Sequence, residues 1–199
     1  MKIVDVKSLL LRGAPPFDPE KFWEERLVRP VDVYPKYRVQ GPDYPAPKVL
    51  TQKFLEIVAD DGTVGIYGPI KDEVFYMVDN ALKPHLLGED PFCTEKIWDI
   101  MYRSQVHGRK GETMFAISAV DIALWDLKGK ALGQSVAKLL GGPTREKVPA
   151  YASTLGLSLE PEKVSKACRE YVEGGYTAMK WFFRYGPSSG LKGVEKNVE

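Results

Sequence analysis

After Gly142 the sequence alternates strand, helix, strand, helix, and no other feature narrows the possible folds as much. Lys147–Leu155 reads as a strand and Pro161–Glu173 as a helix stopped by Gly174-Gly175. Thr177–Phe183 reads as a second strand, and Leu191 onward as a second helix. Strands that alternate with helices lie parallel and are joined by crossovers. The 57 residues after Gly142 suffice for two such βα units, whereas a closed eight-unit barrel takes about 250 residues. Val194 and Val198 are only beginning an apolar face when the sequence reaches Glu199. The expectation is therefore the front part of a longer protein.

The residues before Gly142 follow a different grammar. Residues 2–11, rich in Ile, Val and Leu, predict a strand. Residues 12–48 hold eight of the fifteen prolines, the aromatics Phe17, Phe22, Trp23, Tyr34, Tyr37 and Tyr44, and seven Lys or Arg. A connection this long is usually a binding loop, a lid or disorder, and disordered tracts are poor in aromatics; an ordered lid is the reading. Thr51–Ala59 and Thr63–Pro69 form a hairpin around Asp60-Asp61-Gly62. Three helices follow. Asp72–Leu87 carries Val74, Met77, Val78, Leu82 and Leu86, with Pro84 ending or kinking it. Pro91–Ser104 places Ile97, Ile100 and Met101 on one side. Glu112–Leu132 bears the stripe Ile117, Val120, Leu124 and Leu127, with Gly133 as the stop. A short Ser135–Leu140 helix closes on Gly141-Gly142.

Charge and composition exclude several classes. With 28 basic and 27 acidic residues, the formal charge of +1 offers no global field for nucleic acid or an anionic membrane. At 44% hydrophobic and 28% charged, the chain is too apolar for intrinsic disorder. Cys93 and Cys168 alone make neither a disulfide framework nor a four-ligand zinc site, so a reducing compartment is expected. The charged start Met-Lys-Ile-Val-Asp-Val-Lys is no signal peptide, and no stretch nears the roughly 18 apolar residues of a membrane span. A soluble, cytoplasmic protein without nucleic-acid or membrane partners is the expectation.

Common catalytic signatures are missing: no P-loop, G-x-G-x-x-G, G-x-S-x-G or H-E-x-x-H occurs. Gly186-Pro-Ser-Ser-Gly190 resembles a phosphate loop only in composition and reads as a plain strand-to-helix connection. His85 reads as structural. His107, in the polar loop Val-His-Gly-Arg-Lys-Gly, is a candidate substrate contact. Asp121 and Asp126, five apart on a helix, share no face and read as salt-bridge partners. Lys180 differs from these. It sits in the C-terminal half of an apolar strand, where parallel α/β folds gather ligand and catalytic groups. A lysine there is costly to bury unless paired or used. Two readings stay open, a functional cation and a snorkelling or ion-paired side chain.

Taken in order, four segments resemble the enolase superfamily, and within it the mandelate racemase-like branch. They are Phe54-Leu-Glu-Ile-Val-Ala-Asp-Asp-Gly-Thr-Val-Gly65, Ala116-Ile-Ser-Ala-Val-Asp-Ile-Ala-Leu-Trp-Asp-Leu-Lys-Gly-Lys130, Lys138-Leu-Leu-Gly-Gly142 and the strand bearing Lys180. The resemblance implies an α+β capping domain at 1–140, with a three-stranded antiparallel sheet, a helical bundle and the 12–48 segment as its lid. Residues 141–199 would then be the first two βα units of a (β/α)7β barrel.

Enzymes of this family remove the proton α to a carboxylate and stabilise the resulting enediolate with Mg²⁺ and preorganised cations. Racemases of the branch carry K-x-K on the second barrel strand. Lys180 matches the first Lys, but position 182 is Phe, which accepts no proton. This departure disfavours a racemase, epimerase or cycloisomerase, which remains the alternative, and favours a one-sided acid-sugar dehydratase. The Lys180 to Gly186-Pro187 spacing and the loop Val31-x-x-Tyr-x-Lys-Tyr-Arg38 most resemble rhamnonate-type dehydratases. By that resemblance Lys180 and Arg184 are catalytic candidates, and Arg38, Lys36 and His107 bind substrate. The metal ligands and a His–Asp pair are expected beyond Glu199, so this chain by itself would hold no catalytic Mg²⁺ and be inactive. The implied partners are a small sugar acid and further copies of the chain in a homo-oligomer. A non-catalytic interaction module is the alternative from another class.

Overall fold

In the computed structural model, residues 1–16, 18, 28–38 and 48–199 are described. Two compact units emerge, one of residues 1–13 and 51–146, the other of residues 14–50 and 147–199.

The first unit is built on a sheet in the order β1-β2-β3, with β1 at Ile3–Gly13, β2 at Leu50–Ala59 and β3 at Val64–Ile70. β2 and β3 run antiparallel, pairing Val58 with Val64 and Leu55 with Tyr67, and a bulge falls between Lys53 and Leu55. The turn is the expected one. Gly62 takes φ +86°, and the Asp61 carboxylate accepts the Thr63 N–H at 3.0 Å. That backbone hydrogen bond also lowers the Asp61 pKa.

Helices cover one face of the sheet. The stretch expected as a single helix is interrupted: α1 (Asp72–Met77) widens into a π turn over Val78–Leu82 before α2 (Lys83–Leu86). Pro84 explains the widening, since it lacks an N–H and its ring would press on the carbonyl of Asn80 in a regular α-helix. The next helix, α3, covers Thr94–Ser104 and not Pro91–Ser104. The Asp90 carboxylate accepts the Phe92 N–H at 3.0 Å, and this local turn holds Pro91 and Phe92 outside the helix. The longest helix, α4, spans Glu112–Leu132 as expected, and Gly133 ends it at φ +60°. α5 (Val136–Leu139) is capped by the Ser135 hydroxyl.

The core of this unit forms where α4 lies on β3. Ile117, Val120, Leu124 and Leu127 are buried with Leu55 and Ile57 of the sheet, Val78, Leu82 and Leu86 of the broken helix, and Ile97 and Met101 of α3. Gly65 makes the approach possible: a Cβ there would collide with the Ala123 carbonyl oxygen and come within 2.7 Å of Leu127 Cβ. Asp126 and Lys130 then bond the strand. The Asp126 carboxylate accepts the Ile66 N–H at 2.8 Å and the Lys130 ammonium at 2.6 Å, and Lys130 also donates to the Val64 carbonyl at 2.9 Å. Asp121, in contrast, shows no ion pair among the described residues and is half-buried near Glu95 on α3.

In the second unit, β4 (Ala152–Ser153) and β5 (Met179–Lys180) pair in parallel, with Ala152 opposite Met179 and Ser153 opposite Lys180. α6 (Pro161–Glu173) connects them, and α7 (Gly190–Val198) follows β5. The alternation and parallel pairing match the sequence reading, but both strands are much shorter than Lys147–Leu155 and Thr177–Phe183. Strand propensity builds a ladder only where a neighbour supplies hydrogen bonds. Of the proposed lid at 12–48, residues 30–33 and 35–37 form two 3₁₀ turns; residues 17, 19–27 and 39–47 lie outside the described residues. Among the described residues, no helix is long and apolar enough to cross a membrane.

Two stability measurements test this account. Gly65→Ala is expected to cost about 1–3 kcal/mol through overpacking, lowering the urea midpoint without changing the slope. Gly62→Ala, where only the positive φ is strained, should cost about 1 kcal/mol. For Asp121, burial first and the Glu95 charge second raise its carboxyl pKa above 3.8. The folded state thus holds that proton more tightly than the unfolded chain, and its contribution falls as pH rises through this window. Asp121→Asn should therefore raise Tm at pH 7, with the gain vanishing below about pH 3.8. A gain that persists into strong acid would rule out this electrostatic cause.

Candidate functional site

The candidate site lies in the second unit, at the carboxyl end of β5, where Lys180 is the last residue. Its backbone is pinned from the neighbouring strand. The Lys180 carbonyl accepts the Thr154 N–H at 3.2 Å and the Thr154 hydroxyl at 2.9 Å, and Thr154 is fully buried. The side chain, by contrast, is exposed. Its ammonium donates to the Tyr151 hydroxyl at 3.3 Å and lies 5.2 Å from that ring's centroid. The hydroxyl is much the nearer group, so the hydrogen bond dominates and the cation–π term is secondary. No carboxylate neutralises this ammonium among the described residues, so the cation keeps its charge available for an anionic group.

Tyr151 was not legible as a site residue in the sequence. It stands two residues before Ser153, the partner of Lys180, so the parallel register puts Tyr151 and Lys180 on one face of the sheet. The same period of two puts residue 182 on the Lys180 side wherever the chain continues extended. That residue is a half-buried Phe, which has no proton acceptor.

The other candidates are held in other ways. Arg184 donates to Glu160 at 3.1 Å, joining the segment after β5 to the residue that immediately precedes α6. Arg38 donates its Nε–H to the Asp32 carbonyl at 2.6 Å and lies 3.5 Å from the Val33 carbonyl, closing the first 3₁₀ turn. Lys36 projects over the Tyr37 ring at 4.8 Å. His107 is exposed in the loop between α3 and α4 of the first unit. Among the described residues, no three His, Cys, Asp or Glu come together as a metal site.

Comparison with known proteins places this geometry. Residues 49–141 match the family model for the N-terminal domain of mandelate racemase / muconate lactonizing enzyme. The chain is 36% identical to the L-rhamnonate dehydratase of Saccharopolyspora erythraea, covering 100% of this chain and 50% of that enzyme. It is 39% identical over 145 residues to the D-galactarolactone cycloisomerase of Agrobacterium fabrum, covering 69% of this chain and 38% of that enzyme. A racemase structure from Streptomyces coelicolor with bound magnesium superposes with a TM-score of 0.67 at 28% identity, covering 99% of this chain and 52% of that one. The chain spans about half the length, or less, of these proteins. Residues 49–141 thus belong to the N-terminal domain family of mandelate racemase / muconate lactonizing enzyme, and the chain is similar to dehydratases of the enolase superfamily.

Proposed function

We propose that the whole protein is a Mg²⁺-dependent acid-sugar dehydratase of the rhamnonate type, acting in the cytoplasm as a homo-oligomer. In this reading residues 1–140 form its capping domain and residues 141–199 begin its barrel. The single observation that carries the reading is Lys180. It is a cation with a fixed backbone, at the carboxyl end of a parallel strand, followed two residues later by Phe182.

The chemistry follows from what such a pair supplies. Removing the proton α to a carboxylate leaves an enediolate whose charge must be held as it develops. The Lys180 ammonium, oriented by Tyr151, holds the substrate carboxylate and gains interaction strength as negative charge grows on its oxygens. Phe182 cannot take or return a proton on that face, so only one face carries a base. A one-sided reaction then ends in loss of the 3-hydroxyl as water, leaving a 2-keto-3-deoxy acid after tautomerisation. Arg184 steadies the connection after β5 through Glu160 and is assigned to the substrate carboxylate or hydroxyls; Arg38, Lys36 and His107 are the remaining contacts in this assignment. Mg²⁺ is part of the proposal for the whole enzyme, where it supplies Lewis-acid stabilisation. The described residues offer it no three-ligand set. The likeness to the cycloisomerase supports a second reading, isomerisation of a related acid-sugar lactone, which the phenylalanine at 182 disfavours.

The test is made in the full-length enzyme. Lys180→Met is expected to lower kcat by about 10²–10³, with a smaller change in KM. Lys180→Arg should not restore full activity, because a planar fork does not reproduce a compact ammonium. Wild-type kcat in folded Lys180→Met would overturn the assignment.

A further inference from the structure

A cavity of about 370 Å³ lies wholly within the second unit, between the 28–38 segment and the stretch from Tyr185 to Lys196. Its described lining includes three cations, Arg38, Lys192 and Lys196, and two hydroxyls, Ser188 and Ser189. Asp32 is the one acid in that described lining. Its carboxylate is turned to the structure of the turn, accepting the Arg29 N–H at 2.7 Å with the Arg29 guanidinium at 3.5 Å. Among the described residues, a carboxylate so engaged leaves the three cations largely uncompensated.

Among the described residues, the cations also have donors to spare. Arg38 spends its Nε–H on the Asp32 carbonyl and makes one long contact to the Val33 carbonyl, which leaves most of its five N–H groups available. Lys192 and Lys196 form no ion pair among the described residues, and Lys196 rests 5.5 Å from the Tyr185 ring centroid. In the same turn, the Arg29 Nε–H is buried and meets no acceptor among the described residues, a deficit that an anion or water would relieve. The wall opposite is firmly built. Asn197 accepts the Tyr185 N–H at 3.2 Å and donates to the Tyr185 carbonyl at 2.9 Å. Gly193 lets the helix close on Tyr185, whose Cβ would lie 3.1 Å from a Cβ at that position.

We propose that this cavity binds a small oxyanion, the phosphate or carboxylate group of a small molecule. Three like charges held around one concavity repel one another, and an anion among them removes that repulsion while accepting the Arg38 and serine donors. Arg38 is also a substrate contact in the dehydratase reading, but Lys192, Lys196, Ser188 and Ser189 have no part in that reading, and they set this site apart from it.

The experiment is calorimetric titration of the full-length protein at low salt, with a chelator present, using inorganic phosphate in one arm and malonate in the other. Lys180→Met serves as a second background, so that binding at the Lys180 site is separated from binding here. Saturable binding of either anion, retained in Lys180→Met, supports the site. Phosphate alone identifies a phosphorylated ligand, and malonate alone a carboxylated one. The double variant Lys192→Glu/Lys196→Glu, both positions being exposed, should weaken that binding by about ten-fold or more. Lys163→Glu/Lys166→Glu on α6, with the same change in net charge, should leave it within about two-fold. Absence of saturable binding overturns the proposal, as does equal weakening by the two double variants.

Discussion

The first unit depends on one close approach, the backbone of β3 at Gly65 against the backbone of α4 at Ala123. A helix and a strand ordinarily keep a layer of side chains between them, and here that layer is absent at one point. The small residues Ala116, Ala119 and Ala123 on the buried side of α4 allow it, while Ile117, Val120, Leu124 and Leu127 fill the space to either side. The approach also solves an edge problem. β3 ends the sheet, and an edge strand leaves backbone groups unpaired and open to another chain. Asp126 and Lys130 satisfy the Ile66 N–H and the Val64 carbonyl, so the helix that packs on β3 also covers part of its edge. Gly65, Asp126 and Lys130 are therefore one device spread over two segments of the sequence.

That device explains which parts of the fold could be read in advance. The bounds of α4 and the hairpin at Gly62 rest on local signals, an apolar stripe with a glycine stop and a short Asp-Asp-Gly turn, and both stand where the sequence put them. The departures arise where a neighbour or a competing local bond decides. Asp90 captured the start of α3, Pro84 converted a turn of helix into a π turn, and the strands around Ala152 and Lys180 extend only as far as they pair. Sequence spacing alone predicts surface ion pairs for both Asp126 and Asp121. Asp126 does pair with Lys130, but its second bond, to the β3 backbone, required the tertiary contact, and Asp121 lies half-buried near another carboxylate.

The site shows the same division. The position of Lys180 at a strand end was legible from the alternation of strands and helices. Its partner was not, because Tyr151 reaches it through a cross-strand register that no local pattern encodes. The same holds for Arg184, whose acid Glu160 stands 24 residues earlier, and for Arg38, whose nearest acceptor is a carbonyl in its own turn. Type and place in the sequence mark the candidate side chains, and the fold alone supplies their partners.

How much the Lys180 charge can do depends on its surroundings more than on its position. Two unit charges 4 Å apart attract by about 1 kcal/mol in bulk water and by about 4 kcal/mol at an effective dielectric of 20. Lys180 is exposed in this chain and donates to a neutral phenol, so its contribution here lies near the lower figure. The loss of a preorganised donor in a working site costs about 2.7–4 kcal/mol, which the lower figure cannot supply. A catalytic role for Lys180 therefore requires that water be excluded around it when substrate is bound. Trp181 and Phe182 are half-buried beside it, an apolar flank that lowers the dielectric on one side. The remaining sides must be closed by residues that this strand pair does not provide. The fixed backbone at Thr154 and the hydroxyl of Tyr151 determine where the cation stands, and the cover placed over it determines what that cation is worth.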